Sequence, residues 1–174
     1  MTSLDASSQA TQEDHWVCTN WLNREAELLD DRQMHEWLEL LHPELEYTLP
    51  VRITRERETG SGFSANGFHM HEDYESMSLR VKRLDTDYAW AEDPPSRTRR
   101  LVANVRVEAT SGDSYELRSN FHLFRSRLDD VAYDLLVGER RDLLVDDGGQ
   151  LKLRRREVLL DHSTLPSKNL AVFF

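Results

Sequence analysis

The feature that most constrains this chain is a change of hydrophobic period along its length. From about Glu13 to Leu29 the residues Trp16, Leu22, Ala26 and Leu29 recur at mostly helical intervals, with Glu and Arg between them. That spacing predicts an amphipathic helix. Asp30-Asp31 can break and recap the chain before a second helix carrying Met34, Trp37, Leu38 and Leu41, which His42-Pro43 stops. Tyr47–Ile53 is a short strand candidate interrupted by Pro50. The polar, glycine-containing stretch after it, residues 54–78, reads as an irregular loop with room for a short helix over Met70–Ser78.

From Leu79 the period becomes two. Leu101, Ala103, Val105, Val107 and Ala109 would share one face of a strand, with Asn104, Arg106 and Glu108 on the other. Ser111-Gly112-Asp113 supplies a turn into Tyr115–Arg125, where Tyr115, Leu117, Phe121 and Leu123 alternate with polar residues. Val131–Val145 and Leu151–Leu160 continue the pattern across the turn Asp146-Asp147-Gly148-Gly149. Helices first, then hairpin-linked strands without βαβ alternation, predict an α+β fold: N-terminal helices packed on a curved, mainly antiparallel sheet. Such a sheet forms a cone whose mouth is either a pocket or simply a core. A length of 174 residues suits one domain, residues 1–174, with residues 1–12 as a solvated tail.

Charge and cysteine usage narrow the function classes. Lys and Arg total 22 against 32 Asp and Glu, a net charge of −10, which argues against a nucleic-acid or membrane-surface role. The arginine clusters therefore need local explanations. Cys18 is the only cysteine, so no internal disulfide can form and a cytoplasmic setting is expected. One thiol also excludes an iron–sulphur cluster held wholly by this chain, because even the Rieske type needs two cysteines and two histidines. No run approaches the roughly 20 apolar residues of a membrane span.

His69, His71 and Asp73 would project to one side of an extended chain as two imidazoles and a carboxylate, the ligand set of non-haem Fe(II). That geometry needs a strand, and the segment reads as a loop, so they are taken as exposed polar residues. Cys18 lies between Trp16 and Trp21 on the first helix and reads as a buried structural thiol. Trp16, Trp21 and Trp37, at helical positions, read as core.

Five stretches together resemble the small (beta) subunit of bacterial aromatic-ring-hydroxylating dioxygenases, the Rieske non-haem iron enzymes. They are REAELLDD at 24–31 with Trp37 following, RVKRLDTDYAWAEDPPSRTRRLVANVRV at 80–107, LRSNFHLFRSR at 117–127, VGERRDLL at 137–144, and LKLRRREVLLDHSTLPSKNLAVFF at 151–174. The resemblance implies a cystatin-like, nuclear-transport-factor-like cone. It also implies a catalytic alpha subunit carrying the Rieske [2Fe-2S] cluster and mononuclear Fe(II), with three copies of each chain in a hexamer and the beta subunits forming a trimer. Ferredoxin and reductase would deliver electrons from NADH, and the assembly would cis-dihydroxylate an aromatic ring. No catalytic, cofactor-binding or metal residue is expected in this chain.

Under that resemblance WAEDPPSRTRR at 90–100 reads as an interface clamp. Trp90 is an anchor, Pro94 and Pro95 stiffen the chain, and Asp93, Arg97, Arg99 and Arg100 supply charged contacts. Arg140, Arg141, Phe173 and Phe174 complete the candidate interface set; the two terminal aromatics either plug the core or dock against another subunit. Arg154 and Arg156 would face one way and Arg155 the other. The rival reading is a stand-alone cone isomerase or dehydratase, with an acid–base pocket using Tyr47 or Tyr133 and a carboxylate.

Overall fold

The computed structural model describes residues 9–54, 60–86, 94–112, 114–167 and 169–174. Helix α1 spans Gln12–Asp30, opened by a capping box in which Thr11 and Asp14 exchange side-chain and main-chain bonds. A six-residue helix α2, Met34–Glu39, follows, then β1 (Leu41–Arg52), β2 (Phe63–Glu72) and α3 (Tyr74–Leu84). Strands β3 (Arg97–Ser111), β4 (Ser114–Ser126), β5 (Tyr133–Asp146) and β6 (Leu151–Leu160) complete the chain.

The six strands form one sheet in the order β2-β1-β6-β5-β4-β3. Neighbours are antiparallel except β1 and β6, which run parallel. The fold is therefore α+β, with α1 packed across β3 and β4 and the core between helices and sheet. Leu22, Leu28 and Leu29 of α1 and Trp37 of α2 meet Leu49 of β1, Leu123 of β4, Leu136 of β5 and Val158 of β6, all essentially inaccessible. Burying a side chain of this kind is worth about 1.5–3 kcal/mol.

Several local expectations are corrected. The second helix ends at Glu39, and Leu41, His42 and Pro43 begin β1, because the Leu153 amide donates to the Leu40 carbonyl and draws the chain into the sheet. Asp30-Asp31 does not recap α2: its N-cap Gln33 makes no side-chain bond. The stretch 54–78 is not an irregular loop throughout, since it contains β2 and the start of α3. Pairing with β1 (Tyr47 opposite Glu72, Leu49 opposite Met70) imposes the strand on a polar sequence. An Asp73–Ser76 capping box then starts α3, so Leu79 lies on a helix whose buried side is Met77 and Val81, and the period of two begins only at Arg97. Trp16 is 64% exposed, on the outer side of α1.

Bulges change which face the strands present. Asn104 takes a left-handed conformation (φ 53), and the β3–β4 register slips between Ala103 and Arg106. Arg100 and Val102 consequently turn inward before the bulge, and Val105, Val107 and Ala109 are the half-buried residues after it; Leu101 and Ala103 face solvent, opposite to expectation. On β6 another slip, between the Leu143–Arg155 and Leu144–Leu153 pairs, lets Leu153 and Arg156 both point inward with Arg154 and Arg155 exposed.

Candidate subunit interface

The inside of the cone is filled, and a charged cluster fills its centre. Glu25 of α1 sits three, four and seven residues from Leu22, Trp21 and Cys18, on the helix's buried stripe. Arg156 donates to both of its carboxylate oxygens, at 2.6 and 2.9 Å, and to both oxygens of Asp142 at 2.8 Å. Arg140 reaches Glu25 at 3.3 Å and lies 5.9 Å from the Phe121 ring centroid. The Trp37 indole donates to Glu25 at 3.2 Å. Two acids and two arginines thus balance, and such a cluster is tolerated in low dielectric only because nearly every group has a partner. The Nη2 of Arg140 has none among the described residues.

The electrostatics follow from this packing. Burial would raise the Glu25 carboxyl, yet the charges of Arg156 and Arg140 outweigh it and hold the group below the ordinary carboxylate range. Burial also opposes the charge on Arg156, but Asp142 and Glu25 more than compensate and keep it above the ordinary guanidinium range. Tyr47, fully buried, is pushed up to about 12, mainly by desolvation. Cys18 is likewise pushed up to about 12 by burial, with Asp14 adding to it, consistent with its reading as a structural thiol.

The C-terminal aromatics close the interior. Phe173 stacks on Trp37 with centroids 4.6 Å apart, and Phe174 packs against Phe121 at 5.6 Å. Between Leu29, Met34, Leu84, Thr98 and Val172 a recess of ≈ 100 Å³ remains.

The candidate interface residues divide accordingly. Pro94, Pro95, Arg97, Arg99 and Arg141 face solvent. Arg100 and Arg140 do not, which corrects the expectation that they grip a partner. Arg100 binds Asp30 of α1 and the Phe173 carbonyl, and Arg140 joins the central cluster. Of the two options for Phe173 and Phe174, the fold takes the core. Trp90 and Asp93 lie outside the described residues. His69 and His71 do lie on a strand, β2, but Asp73 is committed to capping α3, and no group of three metal-ligating residues occurs among the described residues.

The outer face of β3–β5 carries what sequence reasoning missed. Leu101 is 65% exposed and Tyr133 61%, with Phe124 and Leu135 also open. The ladder sets them side by side: Arg99, Phe124 and Leu135 in one row, Leu101, His122 and Val137 in the next, Arg97, Ser126 and Tyr133 in a third. The Phe124 and Tyr133 rings lie 5.1 Å apart. Leu128 and Val131, on the loop joining β4 to β5, extend the exposed apolar surface, and Arg97 donates to the Leu128 carbonyl. Toward the other end the same face is lined by ion pairs, Arg118 with Glu108, Arg155 with Glu116, and Arg141 with Glu139 and Glu157. The signal was present in the sequence as consecutive apolar positions, Leu123-Phe124 and Leu135-Leu136, which leave one member outside.

A helix-on-sheet cone with a charged and aromatic core and a partly apolar outer face places the chain among the cone-fold α+β proteins. Solved structures place it further: the chain superposes on a naphthalene 1,2-dioxygenase structure with indole bound (TM-score 0.82, 24% identity, 96% of this chain and 89% of that one). A hexachlorocyclohexane dehydrochlorinase has the same fold (TM-score 0.59, 12% identity, 90% and 91% covered). The model of the family described as "Ring hydroxylating beta subunit" matches residues 24–167, and the chain belongs to that family. It is 36% identical to biphenyl 2,3-dioxygenase subunit beta of Rhodococcus jostii (strain RHA1) over 86% of this chain and 83% of the relative. With N,N-dimethyl phenylurea N-demethylase subunit beta of Sphingobium sp. (strain YBL2) the identity is 35%, over 98% and 99%.

Proposed function

We propose that this chain is the structural, non-catalytic small subunit of a cytoplasmic aromatic-ring-hydroxylating dioxygenase. The catalytic alpha subunit holds the Rieske [2Fe-2S] cluster and mononuclear Fe(II), and three of each chain assemble around a beta trimer. Ferredoxin and reductase components feed the assembly with electrons from NADH. The observation that carries the reading is the contrast between a filled interior and the open apolar rows of Leu101, Phe124, Tyr133 and Leu135 outside. Exposed apolar surface of this kind marks a site that another chain covers. A Rieske cluster does not fit here: the one thiol, Cys18, is buried on α1, and two cysteines are needed.

The rival acid–base reading has less support. The Tyr47 hydroxyl is engaged with the main chain of Phe174, and Tyr133 lies on the outside of the sheet. Tyr133 borders an open recess of ≈ 500 Å³ with Asp130 and Asp134, but Asp134 is paired with Arg125 and Asp130 accepts the Ala132 amide.

Native mass spectrometry of the protein drawn gently from its own cells tests the proposal. Recovery with a larger iron–sulphur chain in equal number supports it, and Arg97→Ala, Trp90→Ala and Phe124→Asp should each lower the assembled fraction. A lone monomer or dimer would overturn it.

A further inference from the structure

The C-terminal segment is held differently from the rest of the chain. Among the described residues no main-chain to main-chain hydrogen bond reaches beyond Asp161. Side chains bind its main-chain oxygens instead. Arg125 of β4 donates to the Asn169 carbonyl at 3.3 Å and to the Asn169 side-chain oxygen at 3.0 Å. Arg100 of β3 donates to the Phe173 carbonyl at 2.7 Å. Arg156 of β6 and the Tyr47 hydroxyl donate to the Phe174 oxygen at 2.6 and 2.8 Å, and the Phe174 amide donates back to Tyr47 at 2.8 Å. Each arginine is set by acids of the body: Arg100 by Asp30, Arg125 by Asp134, Arg156 by Glu25 and Asp142. The aromatic rings enter the core between them.

Donors on main-chain oxygens with side chains seated in pockets are how a bound extended peptide is gripped. Two of the same arginines also hold the start of β3. Arg125 donates to the Ser96 hydroxyl at 2.9 Å, and Arg100 to the Thr98 hydroxyl at 3.1 Å, while Asp30 accepts from both Thr98 and the Arg100 amide. Ser96 directly follows Pro94-Pro95, and Arg97 and Arg99 lie between these anchors.

We propose that residues 169–174 act as a peptide ligand bound in cis by the cone, and that their seating fixes Ser96–Arg100 at the rim of the outer apolar face. Unseating the segment takes acceptors from Arg125 and Arg100, and the side chains that position Ser96 and Thr98 lose their own anchoring. Only the consequence for assembly rests on the subunit reading; the coupling belongs to this chain.

Hydrogen–deuterium exchange on the full chain tests it, comparing wild type with Asn169→Ala and the conservative Phe174→Leu. The expected result is that amides of residues 170–174 and of 97–100 exchange faster together, by about tenfold or more, while those of α1 and β5 keep their wild-type rates. A synthetic peptide Asn-Leu-Ala-Val-Phe-Phe added to Asn169→Ala should restore protection at 97–100. Faster exchange confined to the segment, uniform acceleration across the chain, or unchanged rates would each overturn the proposal. Because the readout needs no partner, its failure leaves the subunit reading standing, and failure of assembly leaves the coupling standing.

Discussion

Arg156 and Glu25 form a two-bond ion pair, at 2.6 and 2.9 Å, in which neither side chain has any solvent exposure. It ties the last strand to the first helix across 131 residues of sequence. The centre of the cone is occupied by the chain's own charges and aromatics.

Breaking that pair from one side should be far worse than replacing both members. Glu25→Leu leaves Arg156 and Arg140 short of a counter-charge in low dielectric and should cost about 3–5 kcal/mol. Glu25→Leu with Arg156→Met keeps the buried charge balanced through Asp142 and Arg140, so the double variant should lose less than the sum of the singles. Urea unfolding of the four proteins gives the coupling directly, and strict additivity would contradict the cluster's role.

Stability should fall at both ends of the pH scale, for different residues. Glu25 in the folded chain lies below its ordinary value of 4.5, so its contribution is present above that pH and is lost as pH drops through the lowered value. Tyr47 is raised from 10.0 to about 12, so its contribution is complete below pH 10 and is lost as pH rises toward about 12. Thermal unfolding across pH should show the acid limb flattened in Glu25→Gln and the alkaline limb flattened in Tyr47→Phe.

Asn104 provides a test of the bulge. Its φ of 53 suits Asn or Gly, so Asn104→Gly should be tolerated, whereas β-branched Asn104→Val should cost about 1–2 kcal/mol. Circular-dichroism melts of the two variants decide it: equal midpoints would show that the left-handed residue is not what sets the register.

At Gly138 of β5 the neighbouring strand leaves no room for a side chain. A Cβ there would stand 2.3 Å from the Leu159 carbonyl oxygen, a main-chain atom of β6 that cannot swing aside. Gly138→Ala should therefore destabilise by about 2 kcal/mol or more through forced separation of β5 and β6. A melting midpoint equal to wild type would refute this.

The β3–β6 meander and α1 were legible in the sequence because their hydrophobic period is carried by consecutive local residues. The one-sided stripe of α1 and the alternation of β4 do not depend on distant neighbours. The polar strand β2 was not legible, since its conformation comes from pairing with β1 rather than from its own side chains. Arg100 and Arg140 were read as surface clamps for a related reason: an isolated arginine gives no indication that an acid from a distant helix will meet it in the core.

By itself the sequence determined the order of helices and strands, the net acidity, the single thiol and the family to which the chain belongs. These depend on composition and on residues close together along the chain. Tertiary structure alone decided which arginines are inside and which apolar residues remain outside. One left-handed asparagine and one slipped register on β6 invert the facing of whole strand segments, and burial of a charge is settled only when its partner arrives from the far end of the chain.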